Sequence, residues 1–206
     1  FRADNWCPFN CEPNTSMPGY GVEILNNVFN KAGHKVDYQI LAWNRALAET
    51  QEGKFTGVIA ASDKELVNGV NTISIGSSKN CFFVKRGSAF KYTNLDSLKG
   101  HKVAIIKDYK YGDDIDADIA KRADGYDAAF GDNPLVSNIR KLQADRTEIV
   151  LENDTVFSYT SSMEKLLGKF VSAGCLPDDK LFVSFSGKNP KSAEYAKIFN
   201  EGLEAM

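Results

Sequence analysis

Residues 19–61, GYGVEILNNVFNKAGHKVDYQILAWNRALAETQEGKFTGVIAA, change hydrophobic period repeatedly within one short run. From Gly19 to Ala32, the apolar residues Val22, Leu25, Val28 and Phe29 recur at helical spacing, and Ile24 widens the stripe. Gly33 stops this helix, because a helix commonly ends on a left-handed residue and glycine takes that conformation without a Cβ penalty. Val36 to Ala42 then alternates as a strand. Trp43 to Glu52 reads as a second helix with Gly53 behind it. Phe55 to Ala61 is a short apolar run of the kind carried by strands covered on both faces. Phe1-Arg2-Ala3 reads as the tail of an earlier strand. Strand, helix, strand, helix, strand predicts an α/β layer with right-handed crossovers.

The texture changes near residue 80 and the pattern then restarts. Cys81-Phe82-Phe83-Val84 is extended and apolar, and Gly87 to Asn94 is polar and loop-like. Leu95 to Leu98 is a short helix ended by Gly100. Lys102 to Ile106 is a strand. Asp113 to Arg122 is a helix whose early acids suit the positive end of the helix dipole. Asn133 to Ala144 is a helix, Glu148 to Leu151 a strand, and about Val156 to Leu167 a further helix. Lys180 to Ser184 is extended, and Pro190 is expected to open the last helix. Gly33-His34-Lys35-Val36 and Gly100-His101-Lys102-Val103 are the same four residues. They suggest one helix-to-strand junction used twice, in two lobes of similar build. The extended segments near 81–84 and 180–184 bracket the second lobe, and two strands joining two lobes would form a hinge.

The chain has 206 residues and a net charge of −2. That length can bury one large core or two smaller ones. No basic stripe is present, which argues against nucleic acid as a partner. No stretch approaches the roughly 20 apolar residues needed to cross a bilayer. Residue 1 is Phe rather than Met, and Tyr195 to Met206 reads as a helix still running at the last residue. A removed leader or excision from a longer protein would account for both, and no signal peptide lies within the chain.

Four cysteines are present. A bond between Cys7 and Cys11 would close a ring of about five residues, worth roughly 2 kcal/mol in the chain-entropy model, and would favour an oxidising compartment. Two buried free thiols, or half of a metal site, are the alternatives. The metal alternative lacks a second ligand pair, since His34 and His101 are the two histidines and lie far apart in sequence. Both histidines sit in turn segments and are expected to be solvated. Cys81 and Cys175 are candidates for a second bond. No Gly-x-Ser-x-Gly elbow, His-Glu-x-x-His pair or phosphate-cradling glycine loop occurs. Neither catalysis nor a cofactor is expected.

Four passages, in order along the chain, resemble a known family. They are Trp6-Cys7-Pro8-Phe9 with Pro18-Gly19-Tyr20-Gly21-Val22-Glu23-Ile24; Trp43-Asn44-Arg45-Ala46-Leu47; Ser97-Leu98-Lys99-Gly100-His101-Lys102-Val103 leading into Asp108-Tyr109-Lys110-Tyr111-Gly112; and Phe185-Ser186-Gly187-Lys188-Asn189-Pro190 with Tyr195-Ala196-Lys197-Ile198-Phe199. The chain is similar to the periplasmic solute-binding proteins that include the polar-amino-acid receptors of ABC transporters, the bacterial extracellular solute-binding family 3. The resemblance implies a two-lobed, type II-like periplasmic binding protein fold, each lobe a mixed sheet flanked by helices. Lobe 1 would be 1–82 plus 182–206 and lobe 2 would be 86–178. Hinge strands would lie near 81–85 and 180–184, with the ligand in the cleft.

The resemblance also nominates a site. Trp6 matches an aromatic pocket wall and Trp43 the aromatic that stacks on ligand. Ser62 follows the third strand, where amides and hydroxyls meet a ligand carboxylate. Asp108, Tyr109, Lys110 and Tyr111 match the second-lobe loop that grips the same group. Two departures stand out. The amino-acid receptors place an Arg to clamp the ligand carboxylate bidentately, where this chain has Glu65 at or near that position. Lys64 offers a point charge but not the planar fork. The receptors place an Asp for the ligand ammonium, where Asn153 stands nearest and Asp154 is one residue away. An ordinary α-amino acid is therefore not the expected ligand.

The residues give bland alternatives as well. A positive charge at a helix start is unfavourable, so Arg45 points to an anionic partner, or else to a surface salt bridge. The loop from Lys107 to Gly112 is either functional, as strand-to-helix loops often are, or a plain turn. Asn153 and Asp154 could simply cap the next helix. The expected function is a monomeric, periplasmic solute receptor that closes on its ligand and presents it to a membrane permease. The alternatives are the ligand-sensing domain of a membrane signalling receptor, and a dehydratase-like enzyme on the same fold.

Overall fold

A computed structural model describes residues 1–206. The chain runs β1 (Arg2–Ala3), α1 (Tyr20–Lys31), β2 (Gln39–Ile40), α2 (Trp43–Gln51), β3 (Gly57–Ala61), β4 (Val70–Asn71), β5 (Gly76–Ser78) and β6 (Asn80–Lys85). It continues through β7 (Val103–Ile106), α3 (Asp113–Lys121), β8 (Tyr126–Ala129), α4 (Pro134–Gln143), β9 (Ile149–Asn153), α5 (Asp154–Met163), β10 (Phe170–Cys175), β11 (Asp179–Phe185) and α6 (Ser192–Glu204). It divides into two compact units, Phe1–Ser78 with Asp179–Met206, and Lys79–Asp178.

The first unit is built on a mixed sheet in the order β2-β1-β3-β11-β4, with β5 paired to β11. β1, β2 and β3 are parallel, and β11 is antiparallel to β3. Every residue of β3 is buried, as its unbroken apolar run requires. Phe29 of α1, Phe185 of β11 and Phe199 of α6 meet in an aromatic core with ring centroids about 6 Å apart. The second unit holds a five-stranded sheet, β10-β6-β9-β7-β8. β7 is parallel to both β8 and β9, and β6 is antiparallel to β9 and β10. Phe82, Val84, Leu98, Val103, Ile149 and Leu151 form its core. Both disulfides form, Cys7–Cys11 and Cys81–Cys175, the second tying β6 to β10 where the two cysteines are register partners.

Several expectations from the sequence are corrected. The strand expected over 36–42 is confined to Gln39–Ile40, because pairing with Arg2–Ala3 is all that β1 offers it. The helix expected from Val156 begins at Asp154, since the Asn153 Oδ1 accepts from the amides of Thr155 and Val156, both at 3.0 Å. It ends at Met163, before Lys165 turns left-handed at φ 59°. Pro190 does not open α6; it lies in the turn before Ser192, whose hydroxyl donates to the Ser186 carbonyl. The histidines are not simply solvated: His34 packs edge-on to Phe29 and Tyr195, and His101 meets Glu148 at 2.6 Å. β4, β5, β8 and β10 had no clear signature in the sequence. The segments around 81–85 and 180–184 each lie inside a sheet, β6 between β9 and β10, β11 between β3 and β4.

Candidate functional site

Open α/β sheets bind ligands beyond the carboxyl ends of their parallel strands. In the first unit, the loop carrying Trp6 follows β1, Trp43 follows β2, and the turn Ser62–Glu65 follows β3. Three of the nominated segments thus share one sheet edge. The Trp6 loop is fixed to the start of α1. The Tyr20 and Gly21 amides donate to the carbonyls of Pro8 and Phe9, each at 3.0 Å, which satisfies helix-terminal donors that would otherwise lack partners. Gly19 makes this approach possible: its φ is 100°, and a Cβ there would lie 2.5 Å from the Phe9 carbonyl oxygen. The Trp6 ring stacks on Phe9 at 4.5 Å, and Phe9 leans on Tyr20 at 4.9 Å.

Trp43 packs at one side against the cluster of Ala46, Val58, Ala61 and Leu66. Its indole Nε1 donates to Glu65 Oε1 at 2.8 Å. The other carboxylate oxygen, Oε2, accepts from the Ser62 amide at 2.7 Å. One acid therefore fixes both the aromatic ring and the turn. Burial, the largest influence, raises the Glu65 pKa above the ordinary carboxylate value; the donors Ser62 and Trp43 act in the opposite direction, and the nearby Asp179 raises it further. The strand that delivers this turn has Ala60 at φ 62°, a left-handed conformation uncommon outside glycine, beside a register shift opposite Phe182 and Val183. Lys64 lies exposed on the same turn. Arg45 is exposed on α2 and pairs with Glu49 one turn on, at 2.7 Å.

In the second unit the nominated residues again follow parallel strands. The loop Lys107–Gly112 follows β7, and Asn153 closes β9. Asp108 is exposed and left-handed at φ 68°. Tyr109 is half-buried, with its ring 6.4 Å from that of Tyr111, and Lys110 is exposed and approaches Asp116 at 3.8 Å. Tyr111 belongs to the core: it is 3% exposed, and its hydroxyl accepts from the Ile106 amide at 2.8 Å. Asn153 is buried and caps α5, and Asp154 is half-buried at the first turn. Two residues at this edge were not singled out by the sequence reading. Phe130, directly after β8, is 80% exposed, and Glu152, within β9, is 1% exposed with its Oε1 accepting from the Asn153 amide. An acid directly after the apolar run Ile149-Val150-Leu151 and before a helix cap was the sequence signal that could have marked Glu152.

The second unit also holds a crevice of about 330 Å³ beside α5 and β10. Phe83, Phe157, Phe170 and Leu166 line its apolar part, with Lys79 and Asp154 among its charged lining residues. Phe83 and Phe157 stack at 3.8 Å. No group of three or more His, Cys, Asp or Glu side chains that could hold a metal ion is present. No helix is long and apolar enough to cross a membrane.

No protein-family model and no curated protein matches the chain. Solved structures do match, over nearly its full length. A histidine kinase sensor domain with similarity to periplasmic binding proteins superposes with a TM-score of 0.79 at 18% identity, covering 99% of this chain and 87% of that one. The chain has the periplasmic-binding-protein fold. Arginine-bound ArgBP from T. maritima shares this fold with a TM-score of 0.77 at 12% identity, over 99% of this chain and 93% of that one. An ABC uptake transporter substrate-binding protein from Streptococcus pneumoniae, with histidine bound, gives 0.77 at 16% identity, over 99% and 84%. Two of these structures hold a bound amino acid, arginine in ArgBP and histidine in the S. pneumoniae protein.

Proposed function

We propose that the chain is an extracytoplasmic small-solute receptor that closes on its ligand and performs no chemistry on it. The observation that carries this reading is the placement of Trp6, Trp43 and Ser62–Glu65 at the carboxyl ends of three parallel strands, on the periplasmic-binding-protein fold. Aromatic rings give apolar contact, and a few amides, hydroxyls and charges fix orientation, the usual composition of a small-molecule site. Within the second unit, the exposed Asp108 and Lys110 and the half-buried Tyr109 and Asp154 follow the parallel strands β7 and β9 in the same way. The solute is not an ordinary α-amino acid, because Glu65 stands where a carboxylate clamp would be needed.

The receptor works with a membrane partner that reads the liganded form. Delivery to an ABC permease is the first reading, favoured by the likeness to the S. pneumoniae protein. The likeness to a kinase sensor domain favours a second, in which the chain is the sensing part of a signalling receptor. A thermal-shift screen over amino acids, amines, organic acids, sugars and peptides tests the receptor reading. A solute at about 100 times its Kd stabilises the folded chain by roughly 2.7 kcal/mol. Trp43→Ala should weaken the binding of whatever solute is found. A screen in which no solute shifts the melting temperature would overturn the reading.

A further inference from the structure

We propose, resting on the receptor reading above, that the solute carries a cationic head, an alkylammonium or guanidinium, without a carboxylate, and that Glu65 receives that head. Glu65 is held rigidly, with one N–H donor on each oxygen, from Trp43 at 2.8 Å and Ser62 at 2.7 Å. The Ser62 side chain is a further hydrogen-bond donor to it, and a carboxylate offers about four acceptor positions, so about one remains. The charged group that acts on the Glu65 carboxylate is another acid, Asp179 of β11. Arg45, on the neighbouring helix, is engaged with Glu49. Acids withdrawn from water in proteins are normally paired with a cation. Here the chain provides the hydrogen bonds, and the proposed solute brings a counter-charge.

The ring beside the carboxylate points the same way. Trp43 is oriented by Glu65 itself, and an indole face attracts a cation more strongly than other aromatic side chains do. The same atoms disfavour an anionic solute. The Ser62 amide, the natural donor to a ligand carboxylate on this turn, is already taken by Glu65 Oε2. A second carboxylate brought there would meet like charge from both Glu65 and Asp179.

Matched pairs of solutes that differ in the carboxylate alone provide the test. Isothermal titration calorimetry on the full chain would compare agmatine with arginine and histamine with histidine, with putrescine as a further amine and succinate as a carboxylate without a cation. At least one amine should bind about tenfold or more tightly than its parent amino acid, and Glu65→Gln should weaken it on the order of 30-fold, with a fall in melting temperature for the one internal hydrogen bond it loses. The matched pairs use the unaltered chain, so they decide the matter even where Glu65→Gln fails to fold. Parent amino acids binding as tightly as their amines, succinate binding, or full amine affinity in Glu65→Gln would each overturn the proposal. So would silence from all three amines up to about 10 mM, a concentration that reveals even millimolar affinity. A sugar or neutral peptide that binds while the amines do not would sink the cationic head and leave the receptor reading intact; a chain that binds nothing in the wider screen would sink both.

Discussion

At Ser161 the hydroxyl is buried within α5 and has no hydrogen-bond partner, whereas Glu65, also withdrawn from water, has a donor on each oxygen. A buried polar atom without a partner costs about 1–3 kcal/mol, and alanine is the better helix former. Ser161→Ala should therefore stabilise the chain by about 1 kcal/mol, a rise of roughly 2–4 °C in Tm by calorimetry. A fall in Tm would show that the hydroxyl is satisfied after all. Asp118 illustrates the paired case. Its carboxylate accepts from Arg122 Nε at 3.0 Å and from the Tyr126 hydroxyl, and the Arg122 hydrogen bonds hold its pKa below the usual aspartate value. A folded-state pKa below the unfolded one stabilises the folded chain above the unfolded value of about 4, and that contribution fades as pH falls through the folded value. Asp118→Asn should cost about 1 kcal/mol in urea unfolding at pH 7. The difference from the unaltered chain should close as pH falls through the lowered folded-state pKa, and a difference independent of pH would remove the charge from the explanation.

Among the elements, α1 and the loop before it depend on one residue. Gly19 combines a φ of 100° with a contact in which a Cβ would meet backbone at 2.5 Å. Gly19→Ala should thus cost about 2 kcal/mol or more, with both strain and steric overlap contributing. It should also shift tryptophan emission, because the Trp6 loop must move; unchanged emission and urea midpoint would show that the loop is not set by this contact. The strands that escaped the sequence reading have a common cause. β8 and β10 are the two edges of their sheet, so neither needs an apolar run covered by partners on both sides. β10 reads Phe-Val-Ser-Ala-Gly-Cys and β8 Tyr-Asp-Ala-Ala, and neither shows a clean alternation. Central strands such as β3 and β9 were legible because they are buried throughout.

For the molecule as a whole, the Cys81–Cys175 bond closes a loop of 94 residues, nearly the entire second unit. The chain-entropy model gives such a bond up to roughly 4–5 kcal/mol. Replacing both cysteines by serine should lower the melting temperature and make the second unit the first to yield to limited proteolysis. Equal protection of both units in the double variant would show that the strand pairing of β6 with β10 suffices without the bond.

By itself the sequence determined the α/β class, the positions of the main helices, the central strands and the residues worth suspecting, because periodicity reports directly which face of an element is hidden from water. Trp43, Ser62 and Glu65 were each visible as separate candidates. That Glu65 joins the other two in one hydrogen-bonded set, across 22 residues to Trp43, was decided by the tertiary structure alone. So were the burial of Tyr111 and Glu152 and the exposure of Phe130. The physical reason is that strand order and register bring distant segments together, and pairing of that kind leaves no local mark on the chain.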